Sequence, residues 1–330
     1  VNSDHYQVTD IATLEGLNQV RTSASHMLNA VILNQQSQPF VGDVTADSIS
    51  LEDADLKVHG ELNITGDLWI KNDALAAGID TTLSANKVVV GGNLYIEGSD
   101  FIVDVPQGIT VEGDVFIRAS ANLTVPRADS SNETIFPLIL TAQGTINIES
   151  GSSIDVTGQC YPSRYTVGFN NNQNSSNGGS HGGEGGYPNS YYGPELAYGD
   201  YANVMFAGGG GGYQAGGGII HLSANVLQNN GEILANGAGG TGYTGAGGGI
   251  NIDVNTLSGD GQVSARGGDS SNPAYEYPTG AGGRISVRYA DKTGFVGVFI
   301  ASAGKTEQYI DEPVQRGAAG TIYLQQKHAL

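Results

Sequence analysis

Six tyrosines lie within 27 residues near the middle of this chain, with polar residues such as Asn189 between them. A tyrosine side chain combines a flat apolar face with a polar hydroxyl, which suits stacking on a sugar ring or anchoring a protein interface. The candidate set for binding a glycan or a protein partner is therefore Tyr187, Asn189, Tyr191, Tyr192, Tyr198, Tyr201 and Tyr213. The alternative is that these rings pack on glycine-rich segments and hold the stretch in place. Tyr275 and Tyr277 extend the same face from a later turn.

Catalytic chemistry has weaker support in the sequence. A polysaccharide hydrolase needs carboxylates that converge on one face; Asp53 and Asp55 share a strand face, but a solvated face is the simpler interpretation of this pair. His181 and Glu184 would suit an acid/base pair, yet both lie between glycines, which favours loop decoration. A P-loop motif and a His-Glu-x-x-His motif are absent from the sequence. We therefore predict no catalytic residue.

Calcium is the one cofactor that the residues leave open. Ca²⁺ takes oxygen ligands from irregular loops, and three aspartates fall in consecutive turns, Asp253, Asp260 and Asp269. The Gly-Gly-x-Gly-x-Asp calcium repeat is absent, so we predict no cofactor and keep these aspartates as weak calcium candidates. The single cysteine, Cys160, excludes an intramolecular disulfide and a cysteine-based zinc site, and is predicted to be a small buried residue.

The formal net charge of −19 restricts the partners. Nucleic acids and anionic membrane surfaces bind basic proteins, so neither is expected as a partner of this chain. Sugars, Ca²⁺ or another copy of the chain remain. No apolar run approaches the length of about 18 residues that a membrane-spanning helix needs, so no membrane span is predicted.

A repeated strand pattern must position these residues. The pattern Gly-x-Φ-x-Φ, where Φ is apolar, has the period-2 alternation that is typical of a strand with one buried face. Its eight copies begin at Gly66, Gly92, Gly113, Gly144, Gly218, Gly248, Gly283 and Gly320. A strand that recurs with turn residues between its copies indicates a repeat architecture.

The repeat unit can be read from one internal alignment. Residues 220–237 align without a gap over residues 250–267, at an offset of 30. Each unit contains a strand, a Gly/Asn turn and a second strand, which favours a parallel β-helix; a propeller blade needs about 40–45 residues. A sandwich, the main rival, predicts antiparallel hairpins. Glycine tracts such as Gly208–Gly212 are expected to be ordered turns, because they fall at a fixed position before each strand.

Composition divides the chain into four parts. Residues 41–159 carry the first four repeats with little glycine between them, and residues 218–330 carry the glycine-rich repeats. Residues 160–217 form a long insertion rich in Gly, Asn and Tyr. Residues 1–40 have no repeat and are predicted to form a short N-terminal helical segment.

The N-terminal segment has apolar residues whose separations alternate between three and four, as in a short heptad seam. One interpretation is a helix that caps the first repeat. The other is an oligomerisation helix that faces a second chain through Leu17, Val20, Met27 and Val31. At the other end, the last repeat, Gly320–Leu324, leaves a strand edge of the kind that templates further pairing. We therefore expect self-association, either as an end-to-end polymer or as a trimer.

The glycine-rich part resembles a known class of repeat protein. Roughly residues 205–325 are similar to Gly-rich right-handed parallel β-helix modules of large secreted bacterial surface proteins, and similar strings occur in phage tail fibres. The segments that carry the resemblance are 208–212, 216–222, 230–237, 247–250, 280–285 and 317–324. The resemblance implies a right-handed β-helix that serves as a stalk or an adhesive surface outside the cell.

These observations predict an all-β protein: a right-handed parallel β-helix with a short N-terminal helix and a long Gly/Tyr/Asn-rich insertion. The predicted function is that of a non-enzymatic, extracellular structural or adhesive protein, either a fibre subunit or a surface adhesin module. One alternative is a phage tail fibre or receptor-binding protein, part of the virion, whose insertion recognises a host glycan. The second alternative is a β-helical polysaccharide lyase or hydrolase.

Overall fold

A computed structural model describes residues 7–8, 12–13, 26–34, 40–52, 55–72, 81–98, 100–130, 134–167, 176–188, 195–271, 277–306 and 316–327. The elements that these residues form are β-strands. In chain order they are β1 (Gln7–Val8), β2 (Ala12–Thr13), β3 (His26–Asn34), β4 (Phe40–Val41), β5 (Val44–Glu52), β6 (Leu56–His59), β7 (Glu61–Ile64), β8 (Leu68–Asn72), β9 (Thr81–Ser84), β10 (Lys87–Val90), β11 (Leu94–Gly98), β12 (Asp100–Asp104), β13 (Ile109–Val111), β14 (Val115–Arg118), β15 (Asn122–Thr124), β16 (Leu138–Ala142), β17 (Thr145–Ile148), β18 (Ser153–Asp155), β19 (Ile219–Asn229), β20 (Glu232–Leu234), β21 (Gly249–Gly259), β22 (Gln262–Ser264), β23 (Arg284–Tyr289), β24 (Asp291–Phe295), β25 (Val298–Ile300) and β26 (Thr321–Gln326).

The strands pair in parallel in two sheets, of 17 and nine strands. The 17-stranded sheet contains two ladders that share the long strands β3, β5, β19 and β21. Ladder 1 continues through β7, β10, β13, β16, β23 and β26. Ladder 2 continues through β8, β11, β14, β17 and β24. Ladder 3 is the nine-stranded sheet, in the order β4, β6, β9, β12, β15, β18, β20, β22 and β25. The predicted all-β class is confirmed, and the pairing is parallel.

One continuous apolar core is shared by the three ladders. On ladder 1, directly opposed residues of successive strands form an apolar column: Val44, Leu62, Val88, Ile109 and Leu140. Each of these side chains is at most 2% exposed. Burial of one such side chain stabilises the fold by about 1.5–3 kcal/mol, so the alternation along each strand fixes which face turns inward.

The eight sequence repeats divide between two ladders. The first four repeats supply β8, β11, β14 and β17 of ladder 2. The last four supply ladder 1, so Ile146 opposes Leu227, whereas Ile220 opposes Leu138. The sequence pattern predicted all eight strands correctly, and the structure places them in two columns. Both ladders begin after a glycine turn, and the pattern alone does not distinguish them.

Side chains that follow the glycines of ladder 2 connect one unit to the next. The carboxylate of Asp67 accepts a hydrogen bond from the backbone N–H of Asn93 (2.7 Å), and the Asn93 amide oxygen accepts one from Asp114 (2.9 Å). The Asp114 carboxylate in turn accepts from the N–H of Thr145 (2.7 Å). These bonds satisfy turn N–H groups that a strand ladder leaves open, which stabilises the turn before each ladder 2 strand.

The predicted N-terminal helix is wrong over residues 26–34, which form strand β3. In the register with β5, Met27 opposes Thr45 and Val31 opposes Ile49. Val31 and its neighbour Ile32 are β-branched, which favours a strand. Pairing with β5 also satisfies the backbone groups along that edge of β5, which a helix would leave unpaired. Leu17 and Val20 lie outside the described residues. Within the part of the chain that the structure describes, no helix is long and apolar enough to cross a membrane.

Candidate functional site

Glycine-rich segments that lead from ladder 3 back to ladder 1 pack against each other and against part of the insertion. We call this assembly the glycine bundle, composed of residues 176–188, 205–218, 235–248 and 277–283. Gly179 donates a hydrogen bond to the carbonyl of Thr244 (2.9 Å), and Gly209 donates to that of Ser180 (3.1 Å). The tract 208–212 is buried. The glycine tracts are therefore ordered, as predicted.

Close backbone approach explains the choice of glycine in the bundle. A Cβ on Gly245 would overlap the carbonyl oxygen of Ala215, and a Cβ on Gly280 would overlap that of Gly245. Only a residue without a side chain permits this spacing. The insertion and the glycine-rich repeats thus form one tightly packed body, which gives the residues at its surface a fixed position.

Three tyrosines from successive glycine-rich segments meet at the surface of the bundle. The rings of Tyr213 and Tyr243 are stacked, with centroids 5.4 Å apart and an interplanar angle of 15°. The ring of Tyr277 meets Tyr243 edge-on at 5.0 Å. Tyr213 is 57% exposed. We call these three residues the tyrosine cluster; it joins one predicted binding residue to two from later turns.

Glycine also supports the position of the Tyr213 ring. Gly242 has a φ of +117°, and a Cβ on it would collide with that ring. The backbone N–H of Tyr213 donates to the carbonyl of Tyr243 (3.1 Å). The cluster is therefore held by backbone as well as by ring stacking, which lowers the entropy lost when a ligand contacts it.

The other predicted tyrosines lie elsewhere. Tyr201 is 55% exposed and contacts the ring of Tyr323 at 5.2 Å, beside ladder 1. Tyr198 packs inward, and its hydroxyl donates to the carbonyl of Ala207 (2.7 Å). Tyr187 is half-buried. The remaining three candidates, Asn189, Tyr191 and Tyr192, lie outside the described residues.

His181 occupies the interior of the glycine bundle. Its side chain is 0% exposed, and Nδ1 lies 2.9 Å from the carbonyl oxygen of Gly247, so Nδ1 carries the proton and donates. Burial and, to a smaller extent, the nearby Arg284 lower the pKa of His181 from 6.5 to about 4, against the opposing effect of the Gly247 bond. Glu184 is exposed. This pair does not form an acid/base site, because the histidine is inaccessible.

Cys160 is buried, as predicted, and burial raises the pKa of its thiol to about 12. A thiol that stays protonated is a poor nucleophile.

Of the two aspartates considered for hydrolysis, Asp53 lies outside the described residues. The carboxylate of Asp55 accepts a hydrogen bond from the N–H of Thr82 (2.9 Å). The buried Cys160 thiol and the hydrogen-bonded Asp55 carboxylate therefore both have structural roles.

The structure does not bring the three calcium candidates together. Asp253 is neutralised by Arg288 (2.6 Å) and Lys327 (2.5 Å) on ladder 1. Asp269 is paired with the arginine three residues before it, at 2.5 Å. Asp260 lies at the turn after β21. Among the residues that are described, no three His, Cys, Asp or Glu side chains form a group that could hold a metal ion.

An aromatic stack that was not predicted lies on the outer face of ladder 2. Trp69 and Tyr95 stack at 3.8 Å, and Tyr95 and Phe116 stack at 5.1 Å. The guanidinium of Arg118 lies 5.3 Å from the Tyr95 ring and is paired with Glu97 at 2.5 Å. The sequence contains a signal for this stack, since an aromatic residue occupies the fourth position of each of the first three Gly-x-Φ-x-Φ copies.

Two exposed aromatic surfaces therefore stand on one parallel scaffold. In the stack on ladder 2 the rings cover each other's faces, whereas in the tyrosine cluster the Tyr213 ring remains largely open to solvent. The tyrosine cluster is thus the better placed of the two to contact a ligand. No family model, curated protein or solved structure matches this chain.

Proposed function

We propose that this chain is a non-enzymatic, extracellular adhesive module whose tyrosine cluster contacts a glycan. One observation carries the proposal: an exposed, stacked tyrosine cluster is fixed on a close-packed glycine bundle. Tyrosine rings stack on the apolar faces of sugars while their hydroxyls bond to polar groups. A rigid presentation favours affinity because little side-chain freedom is lost on binding.

The scaffold in this proposal is a right-handed parallel β-helix, in which each unit is one coil. The parallel pairing of successive units on all three ladders, with one register shift between β21 and β24, supports this arrangement. Parallel strands joined by crossovers are right-handed in about 98% of cases. Stacked strands advance about 4.8 Å per coil, so the coils form a rod that carries the glycine bundle on one side.

The chemistry of the nucleophilic and basic side chains supports a binding role over catalysis. Burial keeps the Cys160 thiol protonated and the His181 imidazole neutral at pH 7. Neither side chain reaches the surface. The net charge of −19 favours neutral or cationic glycans over anionic ones, because like charges repel.

The test is substitution of Tyr213 by Ala, with binding measured on a printed panel of neutral and amino-sugar glycans. We expect wild-type protein to bind members of the panel and Tyr213→Ala to lose at least tenfold in affinity, about 1.4 kcal/mol. Tyr201→Ala is the matched control, because Tyr201 is similarly exposed (55% against 57%) but lies outside the cluster.

The control separates a binding role from a packing role. Tyr201→Ala should retain wild-type binding. If Tyr213→Ala keeps full binding while its melting temperature falls, the tyrosine cluster is a packing feature, and the proposed adhesive role loses its support.

A further inference from the structure

A groove with a volume of about 480 Å³ lies where the chain turns from ladder 2 to ladder 3. Successive units contribute the turns that line it: β17 to β18, β19 to β20, and β21 to β22. Its polar lining residues include Ser150, Ser152, Asn230, Glu232, Asp260 and Gln262. The volume falls within the range of about 300–1,000 Å³ that is typical of small-molecule sites.

Glycines make this corner concave. A Cβ on Gly231 would overlap the carbonyl oxygen of Ser152, and a Cβ on Gly261 would overlap that of Gly231. Backbone hydrogen-bonding groups at this corner are already paired with each other; for example, the N–H of Gln262 donates to the carbonyl of Gly231 (2.9 Å). A ligand in the groove would therefore be recognised by side chains, not by a free strand edge.

One lining side chain lacks a protein partner. Ser152 is 1% exposed, and its hydroxyl has no hydrogen-bond partner among the described residues. A buried hydroxyl without a partner destabilises a protein, so natural proteins retain one chiefly where it has a use. Because Ser152 lines the groove, a rotation of its side chain would turn the hydroxyl toward a ligand hydroxyl there.

The other lining groups define the chemical class of that ligand. The carboxylates of Glu232 and Asp260 accept hydrogen bonds from hydroxyls and repel anions, while the amides of Asn230 and Gln262 both donate and accept. Val298, 52% exposed at one end, offers an apolar surface for C–H groups. We propose that the groove binds a neutral or amine-bearing saccharide, with Ser152, Glu232 and Asp260 bonded to its polar groups.

The repeat gives the groove a direction. Glu232 of β20 directly opposes Gln262 of β22, and Asp260 occupies the same turn position as Asn230, 30 residues earlier. Equivalent polar groups therefore recur from one unit to the next. This arrangement suits a linear oligosaccharide that runs along the stack of units, with successive sugars over successive turns.

The experiment is calorimetric titration of the full chain with cellohexaose, maltohexaose and a glucosamine hexamer, and with oligogalacturonate as the anionic comparison. Wild-type protein should bind at least one of the first three and not the anionic one. Ser152→Ala, Glu232→Gln and Asp260→Asn should each weaken that binding at least tenfold. Ser152→Ala removes a hydroxyl without a protein partner, so it should fold normally.

Two controls connect the effect to the groove. Glu112→Gln makes the same charge change at an exposed turn of an earlier unit and should bind as wild type does. Tyr213→Ala should also bind these oligosaccharides as wild type does, since the groove does not depend on the tyrosine cluster. Glycan binding by the cluster and saccharide binding by the groove can therefore be confirmed or refuted independently of each other.

Three results would overturn the inference. The first is that none of the neutral or amine-bearing hexamers binds at millimolar concentration. The second is that binding is unchanged in Ser152→Ala, Glu232→Gln and Asp260→Asn. The third is that CaCl₂ alone binds wild-type protein, is lost in Asp260→Asn, and no saccharide binds, which would make the groove a cation site.

Discussion

His181 illustrates how a single residue links the insertion to the repeats. Its own segment belongs to the insertion, its Nδ1 donates to Gly247 of a glycine-rich repeat, and Arg284 of β23 lies close enough to oppose its protonation. The second ring nitrogen, Nε2, has no hydrogen-bond partner among the described residues. An imidazolium at this position would bury an uncompensated charge, so the packing of the bundle depends on a neutral ring.

Acid should therefore destabilise the protein through His181. The pKa of about 4 in the folded state lies below the unfolded value of 6.5, so the stabilisation is complete above pH 6.5 and is lost as the pH falls toward 4. The difference corresponds to about 3 kcal/mol in the free energy of unfolding. Denaturant unfolding followed by circular dichroism between pH 7.5 and 4 should show this loss. His181→Asn, which keeps a donor for Gly247, should remove it.

His59→Asn is the control for that experiment. His59 is exposed on β6, outside the bundle, and its replacement should leave the wild-type pH dependence in place. A His181→Asn variant with the same pH dependence as the wild type would show that the His181 ring is not held neutral by its surroundings.

At the scale of single strands, the aromatic stack on ladder 2 fixes the register between units. Trp69, Tyr95 and Phe116 oppose one another directly in the parallel pairing. A shift of one residue would turn each ring to the core face and expose an apolar core residue. The stack therefore favours the observed register, and the Arg118 guanidinium beside the three rings adds a cation–π contribution.

Replacement of Tyr95 by Ala should remove both ring contacts and lower the free energy of unfolding by about 1–3 kcal/mol. Tyr95→Phe is the matched control: it keeps both stacks and loses only the hydrogen bond from the Asn93 amide to the hydroxyl (3.2 Å), a change of about 1 kcal/mol or less. Trp69, the single tryptophan of the chain, gives a local fluorescence signal. Equal stability of the two variants would contradict a stabilising stack.

The strands could be predicted from the sequence because their signal is local. Alternation between apolar and polar residues gave all eight repeat strands, including β8 and β26, without any knowledge of their partners. The partners could not be read in the same way, since Ile146 opposes Leu227 across the whole insertion. The N-terminal helix failed for the same reason: the spacing through Met27 and Val31 is local, whereas pairing with β5 is not.

At the scale of the whole molecule, the candidate sites lie beyond what the sequence could supply. The tyrosine-rich insertion was recognised from composition and Tyr277 was expected to extend its face, but the cluster that forms also takes Tyr243, which the sequence did not single out. The groove joins residues as far apart as Ser150 and Val298. Surfaces of this kind are defined by stacking of units, and a single sequence gives the units without the register that brings their turns together.

The insertion should also hold the glycine-rich half of the molecule together. Residues of its 176–188 segment form backbone hydrogen bonds with segments of the later repeats. The N–H of Gly182 donates to the carbonyl of Gly282 (3.0 Å), and the backbone carbonyl of Glu184 accepts from the N–H of Ala318 (2.7 Å). A Cβ on Gly179 would collide with the carbonyl of Gly209 and lie 2.7 Å from a backbone nitrogen of the next repeat.

Gly179→Ala should therefore cost about 1–3 kcal/mol through overpacking, and the loss should be confined to the bundle. Hydrogen exchange measured by mass spectrometry should rise in 176–188, 205–218 and 235–248 and stay unchanged in 81–125, since the strands of that range pair with one another and not with the glycine bundle. Gly294→Ala is the control, because the nearest atom to its added methyl is a Ser258 side-chain carbon at 3.2 Å rather than a backbone carbonyl. A rise spread evenly over all units, or none within the bundle, would mean that the insertion decorates the repeats without stabilising them.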